Sequence, residues 1–163
     1  LSQGKDIITL KKELEHAVSY LSIQNVRFQD KFTFTVDWDE KLADCLCPKL
    51  VIQPLLENAV YHGMEGMYED GEIQLKIYAV NELVHIDVID NGEGMTEAQV
   101  QKMIQGDVVS SKRGSGIGVK NVNDRIKLYF GEAYGVQIIS APDEGTTARI
   151  YFPMRRQEDE IEK

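Results

Sequence analysis

The sequence predicts an α+β protein, a two-layer sandwich with helices on one face of a mixed, mostly antiparallel sheet. Three observations carry this expectation. Period-two apolar segments occur in pairs with short turns between them: "EIQLKIYAV" with "LVHIDVID" across Asn81 and Glu82, and "YGVQIIS" with "TTARIYF" around "APDEG". Segments of helical spacing stand before and between these pairs. Strands that arrive in pairs do not fit the regular βαβ alternation of a doubly wound nucleotide-binding fold.

In chain order, apolar residues at 10, 14, 17, 18, 21 and 28 predict a helix behind Thr9 as N-cap. "FTFTVDW" (32 to 38) alternates as a half-buried strand, and Pro48 is expected to open a second helix, "PKLVIQPLLENAVYH", bent or interrupted at Pro54. The hairpin of 72 to 90 follows. Thr96 and Gln99 form a capping box for "TEAQVQKMIQ". After a polar, glycine-bearing stretch, apolar positions 117, 119, 122, 126 and 128 predict another helix, ahead of the last strand pair. "RRQEDEIEK" reads as a solvated tail.

The 163 residues suffice for one domain with a sizeable core. Eighteen basic against 27 acidic residues give −9, which argues against generalised attraction to nucleic acid or an anionic membrane; an anionic ligand must be held by local groups. No apolar run approaches the roughly 20 residues of a membrane helix, so the chain itself is expected to be soluble. Cys45 and Cys47 are too few for a disulfide framework and lack the company of a zinc site, so they are expected as reduced core residues of a cytosolic domain.

Three motifs point to chemistry. In "QPLLENAVYHG" (53 to 63), Asn58 and His62 are four apart on one helix face, while Leu55, Leu56 and Ala59 can pack inward. The same residues also read as an ordinary helix end, with His62 and Gly63 suited to a C-terminus. In "DNGEGM" (90 to 95), Asp90 at a strand end accepts hydrogen bonds and suits an exocyclic amino group, while Gly92 and Gly94 allow a flat ring to approach backbone. An acidic turn is the plainer reading. In "GSGIGVKNV", Gly114, Gly116 and Gly118 open a helix whose free N–H groups suit phosphate. The pattern is neither a Rossmann fingerprint nor a Walker loop.

The order Asn58, Asp90, Gly114 and then "EGTT" at 144 to 147 is that of the Bergerat-fold (GHKL) ATPases. "CPKLVIQPLLENAVYHGM", "DNGEGM", "GSGIGVKNVNDRIKLYFG" and the upstream "LKKELEHAVSYLSIQNVRF" resemble the C-terminal ATP-binding region of LytS/YesM-type sensor histidine kinases, over nearly the whole chain. The resemblance implies a Bergerat-type sandwich with residues 1–30 as the end of a dimerisation or linker helix region, 31–154 as the catalytic domain and 155–163 as a charged tail. It implies Mg²⁺ held by Asn58, His62 near the phosphates and Asp90 accepting from the adenine amino group. Gly92, Gly94, Met95 and Thr146 would line the adenine pocket, with Ser115, Ile117 and the three glycines from Gly114 to Gly118 around the phosphates. Lys112 and Arg113 would reach the phosphates from a lid over 106 to 113, or else remain solvated loop charges. Glu57 could orient a water or the metal shell, although helix geometry turns it roughly 100° from Asn58.

There are departures from the family pattern. Many relatives carry Lys where Tyr61 stands here, and the topoisomerase and Hsp90 branches carry a water-activating acid where Pro54 stands, which fits phosphoryl transfer to another acceptor better than hydrolysis. No Asn-Pro-His-Phe-type acceptor motif is present; His16 falls in the helix that follows that motif in the family, and His85 reads as a surface strand residue. The resemblance therefore implies the catalytic part of a longer, membrane-anchored bacterial sensor, facing the cytoplasm. It would transfer the ATP γ-phosphoryl to a histidine on its own dimerising upstream segment, and from there to a response regulator. A degenerate, non-catalytic nucleotide-binding module and an anti-sigma-type serine kinase are the alternatives.

Overall fold

The computed structural model describes residues 6–28, 31–64, 70–106 and 116–156. Strand β1 (Ile7–Thr9) leads into α1 (Leu10–Arg27); then come β2 (Phe32–Trp38), a short 3₁₀ turn (Glu40–Leu42), β3 (Leu46–Pro48), α2 (Ile52–Asn58) and a π turn (Ala59–Gly63). The hairpin β4 (Gly71–Val80) and β5 (Leu83–Asp90) precedes α3 (Glu97–Gln105) and α4 (Gly116–Phe130), and β6 (Gly135–Ser140) and β7 (Thr146–Pro153) close the chain. The main sheet has five strands in the order β2-β4-β5-β7-β6. Only the β2–β4 pair is parallel; the others are antiparallel. The expected α+β sandwich is thus observed, with an additional small sheet of β1 and β3.

Alternation decides the two faces. Ile73, Leu75 and Ile77 of β4, Val84, Ile86 and Val88 of β5, and Ala148, Ile150 and Phe152 of β7 are buried in one core with Leu10, Leu14, Ala17 and Leu21 of α1, Ile52, Leu55 and Leu56 of α2, and Val122 and Ile126 of α4. The opposite face is polar. Its buried charge among the described residues, Asp87, is satisfied by Arg149 Nε at 2.8 Å and Tyr78 Oη at 2.8 Å. His85, expected at the surface, is half-buried on this face and stacks on Tyr78.

Caps at Thr9 and the Thr96–Gln99 capping box form as expected. The second helix differs. Pro48 ends β3, and α2 opens only at Ile52, because the buried Glu13 carboxylate accepts the N–H groups of Leu50, Val51 and Ile52 at 2.8, 2.9 and 3.0 Å. Pro54 then lies in the first turn, where a missing N–H costs nothing, and the helix runs through it without the expected interruption. The irregularity comes later, as the π turn closed by Met64 N–H to the Ala59 carbonyl at 3.1 Å. In α4 the stripe narrows to Val119, Val122 and Ile126, while Ile117 and Leu128 are 52% and 83% exposed.

Cys45 and Cys47 are buried and unbonded to each other, and burial pushes the Cys47 thiol well above its ordinary range. Arg155 and Arg156, read from the sequence as tail, still belong to the fold: Leu46 N–H donates to the Arg155 carbonyl at 2.7 Å, and Arg156 pairs with Asp44. Residues 157 to 163 lie outside the described residues. Among the described residues no helix is long and apolar enough to cross a membrane.

Candidate functional site

The end of β5 and the β6–β7 turn build one wall. Asp90 is the last residue of β5, paired with Ile73 on one side and Thr146 on the other. It is 7% exposed and accepts from the backbone N–H groups of Gly92, at 2.9 Å, and Thr146. Burial pushes its carboxyl from 3.8 to about 6, against the downward pull of those two amides. Its donors among the described residues are backbone amides, so the carboxylate keeps lone pairs for further donors.

The loop after Asp90 is fixed to that turn. Met95 N–H donates to Ser140 Oγ at 2.9 Å, and Ser140 Oγ lies 2.8 Å from both the Gly145 carbonyl and Thr146 Oγ1. Ser140 has one proton, which the Gly145 carbonyl requires, so Thr146 is the donor in their mutual bond. Gly94 has φ +71, and a Cβ there would lie 2.0 Å from the Ala141 carbonyl oxygen; at Gly145, φ +74, a Cβ would lie 2.2 Å from the Asp90 carbonyl oxygen. These two glycines answer to protein backbone. Asn91 anchors the other side, accepting from Glu72 N–H at 2.8 Å and donating to the Asp70 carbonyl at 2.9 Å. Asp90, Gly92, Gly94, Met95 and Thr146 are therefore brought together, as the resemblance implied. Ser140 and Asn91 were not read as site residues; a serine ending a strand and an asparagine beside an aspartate carry little signal of their own.

Asn58 stands on α2, in the helix layer that packs on the same sheet. Asn58, half-buried, is its last residue, and Nδ2 donates to the Pro54 carbonyl at 3.3 Å. Its Oδ1 is buried with no hydrogen-bond partner among the described residues, the state of an oxygen suited to a hard cation. Among the described residues no three His, Cys, Asp or Glu side chains cluster to hold a metal. A cation at Asn58 would thus take most of its oxygen shell from ligand and water. Glu57 is turned along its own helix, accepting from Gln53 Nε2 at 3.2 Å. His62 lies half-buried within the π turn.

Of the glycine-rich segment, Gly116 begins α4, and a Cβ on Gly118 would meet Pro54 Cβ at 3.4 Å, so the start of α4 lies against the first turn of α2. Ile117 faces solvent. Gly106 caps the end of α3, and the rest of the expected lid, residues 107 to 113, lies outside the described residues with Gly114 and Ser115, so Lys112 and Arg113 are not placed.

The fold is a mixed sheet backed by helices, with a buried acceptor at the end of a strand and an amide oxygen on α2 that has no hydrogen-bond partner among the described residues. The profile of the "Histidine kinase-, DNA gyrase B-, and HSP90-like ATPase" family matches residues 44–156, and the chain belongs to that family. It is similar to the sensor histidine kinase YesM of Bacillus subtilis (strain 168), 37% identical over 153 residues that make up 94% of this chain and 25% of that protein. The chain thus spans about a quarter of that relative's length. Among solved structures, the mycobacterial sensor histidine kinase MprB has TM-score 0.67 at 17% identity, covering 93% of this chain and 98% of that one. Histidine kinase ThkA, solved in complex with the response regulator protein TrrA, has TM-score 0.62 at 16% identity, covering 91% of this chain and 41% of that one. At these identities the two structures speak for the fold.

Proposed function

We propose that the chain is the ATP-binding catalytic part of a two-component sensor histidine kinase. The observation that carries this is Asp90, a carboxylate kept buried with its pKa near 6 at the mouth of a glycine loop, in a member of an ATPase family. Adenine offers the amino group that such an acceptor needs. Gly92, Gly94, Met95 and Thr146 shape the pocket for the ring, and Asn58 holds Mg²⁺ through Oδ1. Bound Mg²⁺ neutralises phosphate charge and orients the γ-phosphoryl. His62, Gly116 and Gly118 flank the phosphate side, with Lys112, Gly114 and Ser115 joining from the loop before α4.

Phosphoryl transfer asks a protein mainly for positioning and charge neutralisation, so this set suffices without a protein nucleophile in the chain. Pro54 leaves the position four before Asn58 with no base, which favours transfer over hydrolysis. The acceptor is a histidine on an upstream dimerising segment, the phosphoryl then passes to a response regulator, and the domain lies on the cytoplasmic side of a membrane-anchored sensor. The test is transfer from γ-labelled ATP in the full-length protein. An acid-labile, base-stable phosphoprotein that disappears in Asn58→Ala is expected; acid-stable label, or undiminished label in Asn58→Ala, refutes the proposal.

A further inference from the structure

Helix α1 contributes no residue to the site described above, yet it runs beside α2 from end to end. Glu13 near its start takes the first amides of α2, and Arg27 in its last turn donates through Nη1 to Tyr61 Oη at 3.4 Å. The guanidinium lies 6.0 Å from the Phe28 ring centroid, and Phe28 packs edge-on against Tyr61 with centroids 5.7 Å apart. Two rings therefore hold this cation.

Its place along α2 gives the arrangement a direction. Pro54 and Asn58 fall at i and i+4 on α2, and Tyr61 follows three residues later in the π turn. Pro54 meets Gly118 at the start of α4, Asn58 carries the buried oxygen without a partner among the described residues, and Tyr61 accepts from Arg27. A chain of net charge −9 that receives a polyphosphate needs local cations near Asn58, and Tyr61 itself brings none. The guanidinium fork is suited to phosphate oxygens, and its contact with a tyrosine hydroxyl is weak enough to exchange for one.

We propose that Arg27 is a phosphate-binding residue of this site, delivered by α1 and poised by Tyr61 and Phe28 to pair with the outer phosphates of the nucleotide. This rests on the nucleotide reading of the site. The plainer role for Arg27 is favourable placement at the C-terminus of α1, which would affect the stability of the helix and leave phosphate preference unchanged.

Calorimetric titration of the 163-residue chain with a nonhydrolysable ATP analogue, AMP and adenosine separates the two. Arg27→Ala and Arg27→Met, the second retaining the packing of the stem, are expected to weaken the triphosphate about tenfold, as for loss of one exposed charged hydrogen bond, with adenosine affinity unchanged. Arg27→Lys is expected to restore part of the loss, and Tyr61→Lys in the Arg27→Ala background to restore it from the π turn. Equal weakening of triphosphate and adenosine, or an unchanged triphosphate preference in both variants, overturns the proposal while leaving the adenine pocket intact. Failure of the wild-type chain to bind adenosine or AMP overturns the nucleotide reading and this proposal with it.

Discussion

The buried carboxylate of Asp90 burdens the fold. Its carboxyl sits at about 6 when folded against 3.8 ordinarily, so between those values the folded state retains a proton that the unfolded state has released. Stability from this group is therefore present below pH 4 and is lost as pH rises through about 6, a cost on the order of 2–3 kcal/mol at neutral pH. Asp90→Asn keeps an acceptor for the Gly92 amide and removes the buried charge. Its expected outcome is a gain of about 1 kcal/mol in chemical denaturation at pH 7, with the slope between pH 4 and 6 flattened. Nucleotide affinity of the wild-type chain should rise with pH up to about 6 and level off above it, as read by titration across that range. Gly94 makes a second point at this scale. Gly94→Ala forces a Cβ against the Ala141 carbonyl at φ +71 and should cost about 2–4 kcal/mol. Gly131→Ala, at φ +115 with no atom within 4 Å, is the control that carries backbone strain alone and should cost less.

At the scale of elements, the start of α2 is the least obvious construction. Leu50 takes φ 59, Glu13 of α1 binds three successive amides, and Arg125 of α4 donates to the Lys49 carbonyl at 2.7 Å. A turn gripped by two other helices is what aims Asn58. Glu13→Ala leaves three amides without their acceptor and should cost about 3 kcal/mol or more in denaturant unfolding, with Glu13→Gln recovering roughly half. This explains where sequence reading stopped. Thr9, the Thr96–Gln99 box and the hairpin turn at Asn81–Glu82 are local signals, and the structure has each of them. The true start of α2 depends on a residue 37 to 39 positions away, so Pro48 was the nearest local candidate and was wrong. The exposure of Ile117 and Leu128 has the same origin, since helical spacing marks a stripe without fixing its width.

For the whole molecule, the sandwich was legible because paired period-two strands and helical stripes are repeated over many residues, and no single misread element alters the class. The candidate site was legible in its named motifs and less so in its support. Ser140, Asn91 and Glu13 become visible only when strand ends and helix starts are brought together in space. That assembly sets Asp90 and Thr146 on the sheet and Asn58 on the helix layer, the residues proposed above to take adenine and the metal. The most direct test is calorimetric titration of the chain with a nonhydrolysable ATP analogue, with and without Mg²⁺, beside Asp90→Asn and Asn58→Ala. The expected result is Mg²⁺-enhanced binding by the wild-type chain, loss of binding in Asp90→Asn, and loss of only the Mg²⁺ enhancement in Asn58→Ala; a folded wild-type chain that does not bind, or an Asp90→Asn variant that binds like wild type, refutes the adenine role of Asp90.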